Sequence, residues 1–402
     1  MLSLTQAQKK LQQQAPVNSA IQIVALAQAL GRVAANDVLS GLDIPPANNS
    51  AMDGFAINTD DIEESDTQLR ISQRIPAGVA PTPLEPGTAA RIFTGGNIPT
   101  GANAVVIQEN CSYSKDSNYV VIHKPVNNMQ NIRPQGQDIA IGARLIKQGQ
   151  RLTAIDLSLL ASIGHTDIAV FQALKVAIFS TGDELVEPGQ DLKAGQIYNS
   201  NRTLLIALCT QLGYQAIDCG IVEDTLAATT TALAKAAQDA DVIIASGGVS
   251  VGEEDHVRPA VESLGTLDMW KVQIKPGKPV AYGRVAQTPF LGLPGNPVSS
   301  FVVFQLLGVP LLRACQGQQN DLPRAYSVIA GFDKAHTTRE EYIRVRLEHN
   351  QDGQLLAQRF ANLSSGVMSS LSWADGLVRH NCDEQIDTGQ TIDFLPLNDG
   401  ML

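Results

Sequence analysis

From Lys175 onward, short apolar runs alternate with stretches of helical period, and this alternation limits the fold more than any other feature of the chain. The runs KVAIF, QAIDCGIV and DVIIAS are separated by a helical segment over about 201–212 and by TTTALAKAAQ. Strands alternating with helices of this length predict a parallel sheet with helices on both faces. The pattern continues as a helix at about 256–264, strands near 267–274, 279–283 and 289–293, and a long helix to about 314. Open α/β sheets bind ligands beyond the carboxyl ends of their strands. Three loops fall at such ends: STGDE at 180–184, SGGVSVG at 246–252 and GLPGNP at 292–297. Their glycines and serines let backbone N–H groups approach an anion, and a helix start adds a favourable field. A phosphate-bearing ligand fits all three, although each loop taken alone is equally a tight strand-to-helix turn.

The rest of the chain has a different texture. Residues 3–31 carry helical spacing, with Ile21, Val24, Leu26 and Leu30 near one face and Gly31 as a stop, which predicts one or two amphipathic helices. From about 40 to 150, runs such as RISQRI, ARIFT, NAVVIQEN and YVVIH predict a small all-β domain. AIDLSLLASIG returns to helix and TDIAV to strand, so this domain is read as an insertion into a helical linker. After Pro323, YSVIAGF, EYIRVRLE and QTIDFLPL predict a final small β domain. The expected division is 1–42 with 145–172, then 43–144, 173–320 and 321–402. At about 150 residues per domain, a chain of 402 residues agrees with several cores.

Charged side chains gather near the loops. Asp183, Glu184, Asp224, Glu253, Glu254 and Asp255 offer carboxylates to a hard cation such as Mg²⁺, which binds one or two of them plus substrate phosphates. Glu253 and Glu254 enter a helix, where the dipole accounts for acidic residues, so Asp255 is the better ligand candidate. In WKVQIKPGKPVAYG, Lys271, Lys275 and Lys278 can converge on one edge of the crevice and neutralise an oxyanion; a solvated basic strand reads the same way. Lys275 and Lys278 flank Pro276 and Gly277 in a turn too short to bury both ammonium groups without an anion nearby. Asp53 in SAMDGF and Asp138 in GQD sit at turns, where a carboxylate also bonds its own backbone.

Several function classes are disfavoured. The second loop has Glu253 where a Walker A loop continues with Lys and Ser or Thr, and no G-x-G-x-x-G follows a strand. No H-E-x-x-H is present. With 29 Lys and Arg against 40 Asp and Glu, the formal charge of −11 repels nucleic acid. Cys111, Cys209, Cys219, Cys315 and Cys382 are scattered without a C-x-x-C pair, as expected of thiols in a reducing compartment. The first residues lack an apolar targeting core, and the greasiest stretch, 298–312, is interrupted by Ser299, Ser300, Gln305 and Pro310. A cytoplasmic protein that does not span a membrane is expected.

Seven segments together resemble the MoeA family, the molybdopterin molybdenumtransferases, in order and spacing over nearly the whole chain. They are DIPPANNSAMDGFA at 43–56, RIFTGG at 91–96, IRPQGQDI at 132–139, FSTGDEL at 179–185, ASGGVSVGEEDHV at 245–257, IKPGKPVAYG at 274–283 and GLPGNPVSS at 292–300. The resemblance implies a helical linker domain with an inserted β domain, a MogA-like α/β molybdopterin-binding domain and a C-terminal β-barrel-like domain. It also implies an elongated homodimer whose active site lies between the α/β domain of one subunit and surfaces of the other. The implied reaction takes adenylylated molybdopterin and molybdate, assisted by Mg²⁺, releases AMP and leaves molybdenum on the dithiolene. A molybdopterin adenylyltransferase, and cofactor-accepting molybdoenzymes or chaperones, are the implied partners.

Carried over by position, Thr181, Gly182, Asp183, Ser246, Gly247, Gly248, Ser250, Pro294, Gly295 and Asn296 would hold nucleotide and phosphates. Asp224 and Asp255 would ligate the metal, supported by Asp183 and Glu184. Lys271, Lys275, Lys278 and Ser299 would hold molybdate and the departing phosphate charge; Arg339 resembles the family's C-terminal arginine, and Ser369 or Ser370 its serine. Asp53, Thr94 and Asp138 would complete the site across the dimer. The chain departs from the family at Ala47 and Asn48, at Pro134 and Gln137, and at Asp375, which bears on partner contacts and substrate affinity. Alternatives are a MogA-type molybdopterin adenylyltransferase, which lacks the SAMDG and C-terminal domains, a non-catalytic molybdopterin-binding scaffold, and a nucleotide-type hydrolase sharing the fold.

Overall fold

The computed structural model describes the chain apart from residues 18–19, 64–65, 115–117, 250–255, 319–323 and 398–402. Two compact units are present: 1–36, 148–157 and 167–402 form the first, and 37–147 with 158–166 form the second.

The first unit contains a six-stranded sheet in the order Gln215–Val222, Lys175–Thr181, Val242–Ser246, Thr288–Leu293, Pro279–Val285, Gly265–Lys271. Its first four strands are parallel and are joined in part by the helices Ser200–Gln211 and Leu226–Asp239. Both faces are covered because successive side chains of a strand point opposite ways. Val176 and Ile178 enter a core with Leu205, Cys209 and Phe304, whereas Ala177 and Phe179 enter another with Leu233, Ala236 and Val261. The α/β class is as expected, but the sheet is not parallel throughout: Pro279–Val285 pairs antiparallel with both neighbours. Only Ala286 and Gln287 separate it from Thr288–Leu293, and a parallel return needs a crossover of about a dozen residues. Ala286 adopts φ 52°, the left-handed conformation that so short a reversal requires.

The long helix that follows is α-helical over Pro297–Val303, takes a π turn at Phe304–Gly308 and resumes over Val309–Cys315. By length and composition this segment passes as membrane-spanning, yet 83% of its apolar window is buried in the core, which accounts for its apolarity. The helix Leu4–Gln14 packs onto the same core through Leu4, Ala7 and Leu11, and Gln8 Nε2 donates to Leu306 O at 2.9 Å. Ser3 caps it: its hydroxyl accepts from the Gln6 amide while the Gln6 side chain accepts from the Ser3 amide.

The second helix expected within 3–31 does not form. Ile21–Ala25 is a strand, antiparallel to Asp167–Phe171, followed by a single turn at Leu26–Gln28. IQIVA alternates and carries β-branched residues, and the distant DIAVF segment supplies the pairing edge. The expected helix in 151–170 is present as Ala154–Ser162.

Beyond the sheet, the C-terminal segment forms a closed five-stranded barrel. Its strands run in the order Glu340–His349, Leu355–Arg359, Tyr326–Ala330, Thr391–Pro396, Gly376–His380, and the last pairs back with the first. Val328, Ile343, Val345, Val378 and Phe394 fill it. In the second unit, six strands order as Ala104–Ile107, Gly54–Ile57, Thr88–Ile92, Thr67–Ile75, Tyr119–Ile122, Cys111–Tyr113. Gly54 is required there, since a Cβ would lie 1.9 Å from Val106 O across the strand pair.

Candidate functional site

Because the four parallel strands run side by side, the loops after them share one edge of the sheet. Ser180 lies opposite Ser246, and Ser246 opposite Leu293. The three glycine-bearing loops are therefore neighbours, and Asp224 follows the outer strand Gln215–Val222. Two asparagines tie these loops together. Asn199 caps the helix Ser200–Gln211, its Oδ1 accepting from the Arg202 amide at 3.3 Å and from Ser180 Oγ at 3.2 Å. Asn201 Nδ2 donates both to Ser246 Oγ at 2.9 Å and to Gly295 O at 2.7 Å.

Gly247 has φ 94° and a Cβ there would lie 2.4 Å from Thr181 O, so only glycine allows this loop to press against its neighbour. Its amide donates to Leu293 O at 3.1 Å. The Glu184 carboxylate folds back over Gly182, while Asp183 and Asn296 are exposed. Thr181 Oγ1, Asn199 Nδ2 and Asn201 Oδ1 are buried without hydrogen-bond partners. Buried polar atoms are ordinarily paired, so this edge keeps an unused capacity both to donate and to accept.

Ser250 and Asp255, expected as phosphate and metal ligands, lie outside the described residues. Among the described residues, no group of three or more His, Cys, Asp or Glu is placed to hold a metal ion. Mg²⁺ sharing substrate phosphates needs only one or two protein carboxylates, and Asp224 occupies a suitable loop with the oxygen chemistry such an ion prefers.

The basic residues converge only in part. Lys271 ends the strand Gly265–Lys271 opposite Pro279, and the Lys278 carbonyl accepts from the Val272 amide. Lys275 and Lys278 are both exposed, so the turn buries neither ammonium group; Lys275 Nζ lies 3.2 Å from Glu341 Oε1. The short strand Ile274–Lys275 runs parallel to Glu340–His349 with Lys275 opposite Glu341, which joins the basic turn to the barrel. Arg339 NH1 donates to Ile274 O at 3.1 Å and so stands at the same junction.

Ser299 is buried in the first turn of the long helix, and the amide of Val298 beside it donates to Ser365 O at 3.0 Å. Ser369 is exposed at the start of the helix Ser369–Trp373, whereas Ser370 is wholly buried and accepts from Arg344 Nε at 3.0 Å. Arg344 also donates to Asn362 O and Ser364 O, pinning the 362–365 segment that reaches the helix start. Burial pulls the Arg344 guanidinium below its ordinary range, and the field of Glu341 opposes that. Asp375 Oδ2 accepts from the Leu347 amide at 2.8 Å, a role an Asn oxygen fills equally.

In the second unit, Asp53 and Thr94 are directly joined. Asp53 Oδ1 accepts from the Thr94 amide at 2.8 Å and from its hydroxyl at 2.9 Å. The Thr94 amide, then its hydroxyl, and more weakly Arg91, hold the Asp53 carboxyl below the usual carboxylate range. Arg91 donates to Gly54 O and stacks on Phe55 and Phe93, which fixes the turn carrying Asp53. Asp138 is exposed in the 132–139 loop. That loop meets the SAMDG strand and the TGG turn: Ser50 pairs with Ile132, Ser50 N donates to Gly96 O at 2.9 Å, and Gln135 N donates to Asn48 Oδ1 at 2.8 Å. The substitution of Asn at position 48 thus retains a loop-bridging oxygen.

Residue patterns alone did not single out Asn199, Asn201, Glu341, Arg344 or Arg91. The asparagines carry one usable signal, since YNSNR precedes a helix and Asn favours its cap.

A three-layer α/β domain with linked glycine loops along one sheet edge, joined through the strand Ile274–Lys275 to a five-stranded barrel, defines a multidomain α/β class of protein. Family models match in sequence order: the MoeA N-terminal region (domain I and II) at residues 2–164, a probable molybdopterin binding domain at 177–314, and the MoeA C-terminal region (domain IV) at 332–397. A molybdopterin molybdenumtransferase of Haemophilus influenzae is 37% identical over 408 residues, covering 99% of each chain. One of a Nostoc species is 37% identical over 80% of this chain and 76% of its own. The crystal structure of a MoeA protein from Pyrococcus horikoshii superposes with a TM-score of 0.85 at 27% identity, covering 98% of this chain and 100% of that one. The chain belongs to the MoeA family of molybdopterin molybdenumtransferases.

Proposed function

We infer that the chain transfers molybdenum from molybdate to adenylylated molybdopterin, releasing AMP and yielding molybdenum cofactor. The observation that carries this reading is the set of matched regions: MoeA N-terminal and C-terminal regions flank the molybdopterin-binding domain, and a relative named for this activity matches over 99% of each chain. An adenylyltransferase of the MogA type needs only the central domain. The exposed Asp183 and Glu184, the Asp53–Thr94 pair and the basic turn argue for a working site rather than a scaffold.

In this reading the sheet-edge loops, from Thr181 and Gly182 through Ser246–Gly248 to Pro294–Asn296, hold the nucleotide and its phosphates by backbone amides. Lys271, Lys275, Lys278, Arg339, Ser299 and a serine of the C-terminal segment hold molybdate. That serine is read as Ser369, which is exposed at the start of the helix Ser369–Trp373. Mg²⁺, bound through Asp224 and Asp255, would neutralise phosphate charge. Glu184 and Asp183 would orient groups at the metal side.

The chain is further read as a homodimer, in which Asp53, Thr94 and Asp138 face the site of the other subunit. Apolar residues exposed in the first unit, Ile23 at 73% and Ile155 at 80%, offer surface for such contact. The five cysteines are free thiols, in keeping with a reducing cytoplasm. The four-part domain division at 1–42 with 145–172, 43–144, 173–320 and 321–402 is retained as a working description. Handover from an adenylyltransferase and to molybdoenzymes belongs to the same reading.

One assay tests the reaction. Purified protein with adenylylated molybdopterin is expected to release AMP when molybdate and Mg²⁺ are both supplied. Turnover that ignores molybdate would point to a hydrolase, and the absence of turnover under every condition would point to a scaffold.

A further inference from the structure

Glu341 is the least expected charged residue of the basic junction. Its carboxylate is only 4% exposed, yet it faces two ammonium groups: Lys275 Nζ at 3.2 Å from Oε1 and Lys334 Nζ at 3.3 Å from Oε2. Lys334 also donates to Oε1 at 3.4 Å. The three side chains come from separate elements, since Lys275 lies on the strand Ile274–Lys275, Glu341 on Glu340–His349, and Lys334 on the segment bridged to Ile386. Their exposures differ in a telling way. The Lys275 side chain is 46% exposed and Lys334 20%. Glu341 thus sits behind Lys275, on the side away from solvent, and the trio keeps one net positive charge.

We propose that Glu341 is the internal counter-anion of the oxyanion site: it positions the Lys275 ammonium and sets how strongly the site prefers a tetrahedral dianion over a tetrahedral monoanion. This rests on the reading of Lys275 as an oxyanion ligand. A ligand on the open side of Lys275 meets the ammonium at contact and the Glu341 charge a few ångströms behind it. That charge is nearly dry, so salt and water screen it weakly. Its repulsion scales with ligand charge and is twice as large for molybdate as for perrhenate, a monoanion of the same shape. Loss of Lys275 positioning acts the opposite way, because the attraction of its ammonium also scales with ligand charge and its loss lowers the ratio.

The test is isothermal titration of molybdate and of perrhenate into the full-length protein and three variants at fixed ionic strength. Glu341→Gln is expected to raise the molybdate-to-perrhenate affinity ratio, and Lys334→Met to lower it, each on the order of tenfold. Opposite signs are the signature, because a purely structural role of Glu341, by loosening Lys275, lowers the ratio as Lys334→Met does. A ratio unchanged within about twofold in both variants, or moved the same way, overturns the proposal. If Glu341→Gln does not fold, Glu341→Asp takes its place: it withdraws the carboxylate from Lys275 and is expected to raise the ratio about threefold, and no rise overturns the proposal. Lys275→Ala separates the two layers of argument. If it leaves both affinities unmoved, the reading of Lys275 fails; if it weakens both while the ratio stays fixed in the other variants, only the role of Glu341 fails.

Discussion

Truncating Asn201 removes the single amide group that holds two loops of the sheet edge in register. In Asn201→Ala, Ser246 Oγ loses a buried partner at 2.9 Å and Gly295 O a part-buried one at 2.7 Å. A net hydrogen bond contributes roughly 1 kcal/mol, and a buried group left unpaired costs about 1 to 3 kcal/mol. The Ser246 bond therefore contributes about 1 to 2 kcal/mol and the more accessible Gly295 bond about 1 kcal/mol, offset slightly by removal of the unpaired Oδ1. The sum is about 2 kcal/mol, which lowers the melting temperature of the first unit by about 4 to 8 °C. Because the released loops are those read as binding nucleotide, KM for adenylylated molybdopterin should rise by up to about thirtyfold, at tenfold per 1.4 kcal/mol. Asn201 is not read as touching the reacting atoms, so kcat should change by less than about threefold. Asn201→Asp keeps the shape but cannot donate and buries a charge, so it should be worse than Ala. Calorimetry and AMP-release kinetics report the two effects. Both variants melting with the wild type, or a fall in kcat at constant KM, would refute the argument.

Other expectations are simpler. Thr94→Val removes the hydroxyl that helps depress the Asp53 pKa. A depressed carboxyl contributes stability above its unfolded pKa, about 3.9, and loses it as pH falls through the folded value. The variant should therefore be slightly less stable at neutral pH, by less than about 1 kcal/mol because Asp53 is only partly buried and solvent screens it, and should converge with wild type in strong acid. Cys209 and Cys315, whose thiols burial pushes up to about 12, should resist alkylation by iodoacetamide at pH 8 until the protein unfolds, as mass spectrometry would show. Gly54→Ala forces the Val106 backbone to shift and should cost the second unit at least about 2 kcal/mol in denaturant unfolding; a neutral result would mean that the strand pair adapts.

Much of the fold was legible because its signals are local. The strand–helix alternation and the glycine loops lie within a few residues of what they determine. The strand Ile21–Ala25 was misread because its apolar residues satisfy a helical period as well as a strand's, and its partner lies some 146 residues away. The antiparallel edge was missed because Ala286 and Gln287 lack the Asn-Gly chemistry that usually announces a tight hairpin. The carboxylate beside Lys275 was not readable, since Glu341 comes from a different domain of the sequence. The loops of the candidate site were readable as well; the asparagines that bind them together were not, because only the folded chain shows what each amide meets.

The helix Leu4–Gln14 has a consequence for how the protein is made. Its apolar face rests on a helix that lies some 298 residues further along, as the Gln8–Leu306 bond records. At roughly 5 to 20 residues per second, a ribosome takes about 15 to 60 seconds to deliver that partner. Through this interval an eleven-residue helix, too short to persist alone in water, must keep Leu4, Ala7 and Leu11 from competing surfaces. A fragment that begins at the α/β domain would emerge with the complementary groove bare, so the span that reads as a domain is not the span that folds as one.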